Sequence, residues 1–153
     1  MNILKEDVTT NIDNILNNLI EGKIQEFEKD LQDVVINMMS YNDVRKDISE
    51  ISYHSFVLGL VAYLNGRYTI KSNRESGFGR YDIAIIPYNK EKLGFVLEFK
   101  MVKEGRTVEE TIAEAKKQVI ENRYNEELKE AGIKNIKQLG VVFEKKHVTV
   151  TEF

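Results

Sequence analysis

Cysteine is absent from this chain of 153 residues, and histidine occurs only twice. Without thiols the protein has no disulfide framework, no cysteine-ligated zinc cluster and no thiol nucleophile. For the same reason, cysteine usage does not indicate whether its compartment is oxidising or reducing. With two histidines in all, catalysis led by histidine is disfavoured.

The sequence predicts neither a membrane span nor a leader sequence. No apolar run approaches the roughly 18 residues that a span requires. The first residues, MNILKEDVTTN, do not show a basic region followed by an apolar stretch and a small-residue cleavage site. We therefore predict a cytoplasmic protein with no membrane partner.

The length of the chain sets the number of domains. Hydrophobic residues make up 42% of the sequence, which is enough for one sizeable core but, at this length, not for two ordinary domains. We predict a single domain over residues 1–153. It consists of an N-terminal helical part at 1–45 and a core at 46–153.

Charge is distributed unevenly along the chain. The formal net charge is −3, which argues mildly against a nonspecific nucleic-acid binder. Residues 66–106 nevertheless contain nine Lys or Arg and five Asp or Glu, so this segment is locally positive. On charge alone, chance clustering of solvated side chains is the simpler explanation.

The spacing of apolar residues predicts helices in the first part of the chain. Two runs with apolar residues at i, i+3, i+4 and i+7, separated by Gly22, predict two amphipathic helices. A third helix, from about Ser49 to Leu64, is apolar on most sides and therefore belongs to the core. It ends at Asn65-Gly66.

The apolar period then changes to two, which is typical of strands. Three segments rich in β-branched and aromatic residues predict strands: YTIKS, YDIAIIP and LGFVLEFKM. A long helix follows from about Val108 to a break at Gly132, and IKQLGVVFEKKHVTVTEF predicts two more strands. We predict an α/β fold, in which two extra N-terminal helices precede a core of helix, three strands, helix and one or two strands around a mixed central sheet.

Three ionisable residues lie on two of the predicted strands. Asp82 is in YDIAIIP, whereas Glu98 and Lys100 are two residues apart in LGFVLEFKM and therefore point to the same face. If these strands are neighbours, the three side chains converge on a surface lined by Ala84 and Val96. Burying such charges beside an apolar sheet is costly unless mutual pairing or a divalent cation compensates them.

This constellation has a catalytic and a structural interpretation. Two carboxylates with a backbone carbonyl and water suit Mg²⁺, and a neighbouring lysine can orient or deprotonate an attacking water, as metal-assisted phosphodiester hydrolysis requires. The alternative is a structural ion pair between Glu98 and Lys100, with Asp82 opposite. For an isolated E-x-K triplet the structural interpretation is the simpler one, because such triplets are common.

The order of the motifs resembles the PD-(D/E)XK nuclease superfamily. The resemblance rests on Asp82 followed by EFK on the next strand, and on the segments YHSFVLGLVAYL, SNRESGFGRYDIAIIP, FVLEFK and QVIENRY. These segments look like the branch usually found C-terminal to AAA-ATPase-like domains. The resemblance implies a restriction-endonuclease-like core and a nuclease that uses Mg²⁺ or Mn²⁺, mostly on DNA.

The resemblance also assigns roles to residues of the candidate centre. Asp82 and Glu98 match the metal-binding acids, and Lys100 matches the catalytic lysine. Tyr81 stands in the place of the motif's proline, which supplies no ligand. Glu50 matches a helical glutamate that in many members supports the metal or its water; the alternative is a solvated acid at a helix start, favoured by the helix dipole.

Four further residues are candidates for substrate binding. Gln118 and Tyr124 resemble a helix motif of some nuclease branches that faces the active site and the DNA; otherwise they are a polar rim residue and a core aromatic. Arg74 and Arg80 bracket the turn before the second predicted strand. They either hold the substrate backbone or neutralise neighbouring acids in a structural network, and the resemblance favours substrate binding for Arg80.

Two functions of different class follow. The first is a divalent-metal-dependent nuclease, which would form a homodimer if it cuts both strands of DNA. The second is a catalytically silent module of the same fold that binds nucleic acid or docks on a partner ATPase. The intact set of Asp82, Glu98 and Lys100 favours the nuclease, because a site without catalytic activity would not need to keep its lysine.

Overall fold

Helices and one β-sheet make up the fold, which a computed structural model describes for residues 2–41, 50–72 and 82–153. Side chains are described for residues 11–37, 53–72 and 82–153. The helices are α1 (Asn2–Ile20), α2 (Ile24–Tyr41), α3 (Glu50–Val61), α4 (Val108–Glu121) and α5 (Glu126–Glu130), and a 3₁₀ turn at Ala62–Leu64 follows α3. The strands are β1 (Tyr68–Ser72), β2 (Ile83–Pro87), β3 (Gly94–Met101), β4 (Ile136–Glu144) and β5 (His147–Glu152). None of the helices within the described ranges combines the length and hydropathy needed to cross a bilayer.

The sheet is mixed, and its strands lie side by side in chain order. Strands β1, β2 and β3 form an antiparallel meander, β4 runs parallel to β3, and β5 returns antiparallel to β4. The parallel step needs a crossover connection, which α4 and α5 provide. The predicted α/β class, mixed sheet and order of elements are confirmed.

The helical segment after β3 differs from the prediction. One long helix was predicted from about Val108 to Gly132, but α4 ends at Glu121 and α5 is separate. Arg123 adopts a φ of 50°, and a residue in this left-handed conformation cannot continue a right-handed helix. The break turns the chain so that Tyr124 packs beneath the sheet instead of extending the helix.

Each face of the sheet carries its own apolar core. The larger core joins residues of α1, α2 and α3 to Leu97 and Phe99 of β3. The smaller core joins Val119 of α4 to Ala84 and Val96 on the opposite face. Because side chains alternate along a strand, the side chains two and four residues after Val96 also belong to the face that α4 covers.

Helix α2 protects an edge of the sheet. Strand β5 lies at the edge, where unpaired N–H groups would be open to pairing with another chain. The Val150 N–H donates to Glu28 Oε2 at 2.7 Å, and the Val148 N–H donates to Gln32 Oε1 at 2.9 Å. Two side chains of α2 therefore replace the hydrogen bonds of a missing neighbour strand.

Candidate active site

Asp82 and Glu98 face each other at the junction of β2 and β3. Ile83 pairs with Leu97 in antiparallel register, and the Asp82 N–H donates to the Leu97 carbonyl at 3.0 Å. Asp82 thus lies directly before the paired part of β2, and its side chain interacts with that of Glu98. Lys100 is two residues further along β3 and shares their face. The structure thus brings together Asp82 and the two charged residues of the E-x-K triplet.

The carboxylate of Asp82 is anchored to the neighbouring strand. The Phe99 N–H donates to Asp82 Oδ2 at 2.7 Å. Behind this contact, the buried His54 ring places Nε2 3.4 Å from the Asp82 carbonyl oxygen and 3.3 Å from Ser72 Oγ. Burial raises the pKa of Asp82, although the Phe99 N–H and the charges of His54 and Lys100 oppose the shift. His54 therefore contacts the backbone of Asp82, and its effect on the carboxylate is electrostatic.

Glu98 is a buried acid without full compensation of its charge. It is 2% exposed, and its Oε1 lies 3.6 Å from Lys100 Nζ. The other oxygen, Oε2, has no hydrogen-bond partner among the described residues. Burial, followed by the negative charge of Asp82, raises the pKa of Glu98 to about 8. A buried polar atom left without a partner calls for an explanation, and a bound cation would supply one.

Gln118 and Tyr124 form a chain of contacts that leads to Glu98. Gln118 Nε2 donates to the Tyr124 hydroxyl at 2.8 Å, and this hydroxyl is within hydrogen-bonding reach of Glu98. Burial and the charge of Glu98 raise the pKa of Tyr124, so the hydroxyl keeps its proton and can donate it. Tyr124 is only 3% exposed, which fits the orientation of Glu98 better than broad contact with DNA.

On the other side of Glu98, the fourth strand presents an apolar surface. Glu98 pairs with Gly140 in the parallel register of β3 and β4. The ring of Phe153 covers Gly140, since a Cβ atom built there would lie 2.5 Å from Phe153 Cζ. Glu98 thus receives no polar side chain from its partner on β4, and this contributes to its desolvation.

Lys100 connects the buried acids with the surface. Its side chain is 27% exposed, compared with 3% for the side chain of Glu98. A cleft of about 170 Å³ opens at this point and is lined by Lys100, Met101, Lys103, Arg106, Thr111 and Glu114. A larger apolar cleft of about 550 Å³ lies between α1, α2 and α3, so cleft size does not single out the candidate site.

The two acids fit a divalent cation. The described residues contain no group of three or more His, Asp or Glu side chains suited to a metal. A cation held by Asp82 and Glu98 would therefore need water or substrate in its remaining positions. Mg²⁺ is commonly bound in this way, by one or two carboxylates and several waters. The unpartnered Oε2 and the raised pKa values of both acids are features that a nearby positive charge would relieve.

Other predicted site residues lie wholly or partly outside the described residues. This applies to Arg74 and Arg80, and to the side chain of Glu50, whose backbone begins α3. The sequence did not point to Lys103 and Arg106, which the structure places in the lining of the cleft. The available signal was their position three and six residues after Lys100 in the locally positive segment.

Comparison with known proteins identifies a family but no individual relative. A family model described as the PD-(D/E)XK nuclease superfamily matches residues 48–153. No curated protein and no solved structure matches the chain. The matched range contains the facing acids and Lys100, and it begins after α2.

Proposed function

The chain belongs to the PD-(D/E)XK nuclease superfamily, and from this premise we propose that it hydrolyses phosphodiester bonds of DNA with a divalent cation, Mg²⁺ or Mn²⁺. The observation that carries the proposal is the facing pair of Asp82 and Glu98 beside Lys100. One oxygen of Glu98 lacks a partner among the described residues, as expected for a carboxylate that binds a cation.

The residues of the candidate site have different roles in the proposed hydrolysis. When bound, the cation would polarise the scissile phosphate and lower the pKa of an attacking water. Asp82 would be held in place for it by the Phe99 N–H, and Glu98 by the hydroxyl of Tyr124. Lys100, which is partly exposed, would orient the attacking water or take its proton.

Three further residues belong to this proposal. Glu50 would support the metal or its water, and Arg74 and Arg80 would hold the substrate backbone. Phosphate contacts of this kind fix the position of the substrate without reading its sequence. An ATPase partner and a homodimer stay predictions of the sequence.

Cleavage assays test the nuclease activity directly. Labelled linear, circular and single-stranded DNA, with matching RNA, are incubated with Mg²⁺, Mn²⁺ or chelator. We expect DNA products only with a divalent ion, and none from the Glu98→Gln variant. If the wild type binds DNA but cleaves nothing with either ion, the catalytically silent module replaces the nuclease.

The metal ligands can be tested without activity. A ligand that binds only the native state raises the melting temperature by mass action, so Mg²⁺ or Mn²⁺ should raise that of the wild type. Asp82→Asn should abolish the rise, whereas the exposed Glu121→Gln should keep it. An equal metal response in Asp82→Asn and wild type would remove Asp82 from the proposed ligands.

A further inference from the structure

A tight turn between β3 and α4 brings two cationic side chains together. The Arg106 N–H donates to the Lys103 carbonyl at 3.0 Å, which closes a four-residue turn. Gly105, at its third position, has a φ of 79°, as in a type II turn, where glycine is favoured. The ends of such a turn are less than about 7 Å apart, so Lys103 and Arg106 lie close to each other beyond the end of β3.

The two cations differ in how far their charge is already neutralised. Arg106 Nε lies 2.9 Å from Glu110 Oε2, and another guanidinium nitrogen pairs with Glu114. Lys103 is exposed and forms no ion pair among the residues that the structure describes. Lys103 is therefore available to an anion, whereas Arg106 is held in position by two acids.

The dimensions and lining of the cleft suit a small anion. Its volume of about 170 Å³ is below the roughly 300–1,000 Å³ of sites for drug-sized ligands. The N-terminus of α4 contributes little to anion binding, because its Glu110 N–H already donates to Thr107 Oγ1 at 3.1 Å. The attraction for an anion therefore comes from the side chains of the turn.

We propose that this cleft binds a phosphate group of the substrate backbone next to the scissile one. Lys103 is the contacting cation, and Arg106 is a second cation whose contribution Glu114 restrains. Lys100 lines the same cleft, so a phosphate here is adjacent to the candidate catalytic centre. This inference rests on the proposed nuclease function and adds a substrate-positioning element to it.

The first experiment compares two lysines at opposite ends of β3. Binding of a labelled DNA duplex is measured against salt concentration in chelator, for Lys103→Gln and for the control Lys92→Gln, in the exposed turn before β3. Losing one phosphate contact should weaken binding about 5- to 10-fold near 0.1 M salt and lower the salt slope by about 0.9. Equal effects of the two variants would overturn the proposal.

The second experiment predicts a gain of affinity. Glu114→Gln removes a negative charge from the cleft and weakens the restraint on Arg106, so DNA binding should tighten several-fold. The control, Glu121→Gln, makes the same charge change on α4, where Glu121 pairs with Lys117 outside the cleft lining. If both variants tighten binding equally, the effect is one of net charge and the proposal fails. Melting curves verify that all variants fold.

Failure of this inference can be told from failure of the nuclease. If the wild type cleaves DNA but Lys103→Gln binds like the wild type, the phosphate cleft is wrong and the nuclease stands. If Lys103→Gln weakens binding as expected but the wild type never cleaves, the cleft is supported and the nuclease is wrong.

Discussion

At the scale of single residues, Glu98 combines properties that a purely structural acid would avoid. It is buried, it faces Asp82, and its ion pair with Lys100 engages only one of its two oxygens. Breaking or leaving incomplete a buried ion pair costs stability. Sites at which the free protein tolerates such a loss of stability are often functional. A bound cation would offset the loss here.

This electrostatic cost predicts a pH dependence of stability in the metal-free protein. The unfolded chain releases the Glu98 proton near the usual pKa of 4.5, whereas the folded protein keeps it until about pH 8. Between these values the unfolded state binds fewer protons, so the free energy of unfolding should fall as pH rises, by up to about 1.4 kcal/mol per pH unit. The raised pKa of Asp82 acts in the same direction.

Urea titrations in chelator from pH 5 to 8 measure this slope. Glu98→Gln should flatten it, because the amide has no proton to release, and the exposed Glu121→Gln should leave it unchanged. A slope in Glu98→Gln as steep as in the wild type would show that the buried carboxyl is not its source.

Substitution of Lys100 should affect cleavage and DNA binding to different extents. Lys100→Met keeps most of the side-chain stem and removes the ammonium, so the cleavage rate should fall about 100-fold or more, the scale of a positioned proton-transfer group. DNA binding should change much less, since the ammonium already pairs with Glu98. Lys100→Arg should rescue poorly, because guanidinium is larger and does not give up its proton. Cleavage by Lys100→Met at the wild-type rate would refute the assigned role.

At the scale of elements, the packing of Phe153, the residue after β5, on β4 shapes the surroundings of Glu98. A Cβ atom at Gly140 would lie 2.5 Å from Phe153 Cζ and 2.9 Å from Cε2. Gly140→Ala must therefore displace the half-buried ring of Phe153, and we expect a loss of about 1 kcal/mol in the free energy of unfolding, the low end for overpacked sites.

A double-mutant cycle tests the origin of this loss. Adding Phe153→Ala to Gly140→Ala should cost less than the sum of the single variants, because the clash is gone. Gly59→Ala is the matched control: it lies in α3 and a Cβ there has no neighbour within 4 Å, so it should be neutral or slightly stabilising. Additive costs in urea unfolding would locate the strain elsewhere.

The sequence predicted elements better than the contacts between them. Strand β1 matches its predicted segment, because β-branched residues bounded by turns are a local signal, and the period of two was enough to put Glu98 and Lys100 on one face. The end of α4 was not predicted, since Arg123 adopts its left-handed φ without a neighbouring Gly or Pro that would indicate a break. The contact of Tyr124 with Glu98 depends on that break, and the cleft at Lys103 depends on turn geometry.

At the scale of the whole molecule, the edge of the sheet at β5 bears on assembly. Side chains of α2 close the edge at β5 by accepting hydrogen bonds from two of its N–H groups. Such protection is a common way to prevent edge-to-edge association. A homodimer, which is expected only if the protein cuts both strands of DNA, would therefore have to use another surface, and sedimentation of the wild type with and without DNA measures whether it forms.

The role of α2 leads to a prediction about both stability and association. In the Glu28→Ala, Gln32→Ala double variant, the N–H groups of Val148 and Val150 lose their acceptors, and each such loss in a partly buried place costs about 1–3 kcal/mol. The melting temperature should fall, and because the edge of β5 is then open to pairing, sedimentation should reveal larger species as concentration rises. Lys29→Ala, an exposed change on the same helix, should do neither. If the double variant melts like the wild type and sediments as it does, solvent or other groups satisfy these N–H donors and α2 is not what keeps the edge from pairing.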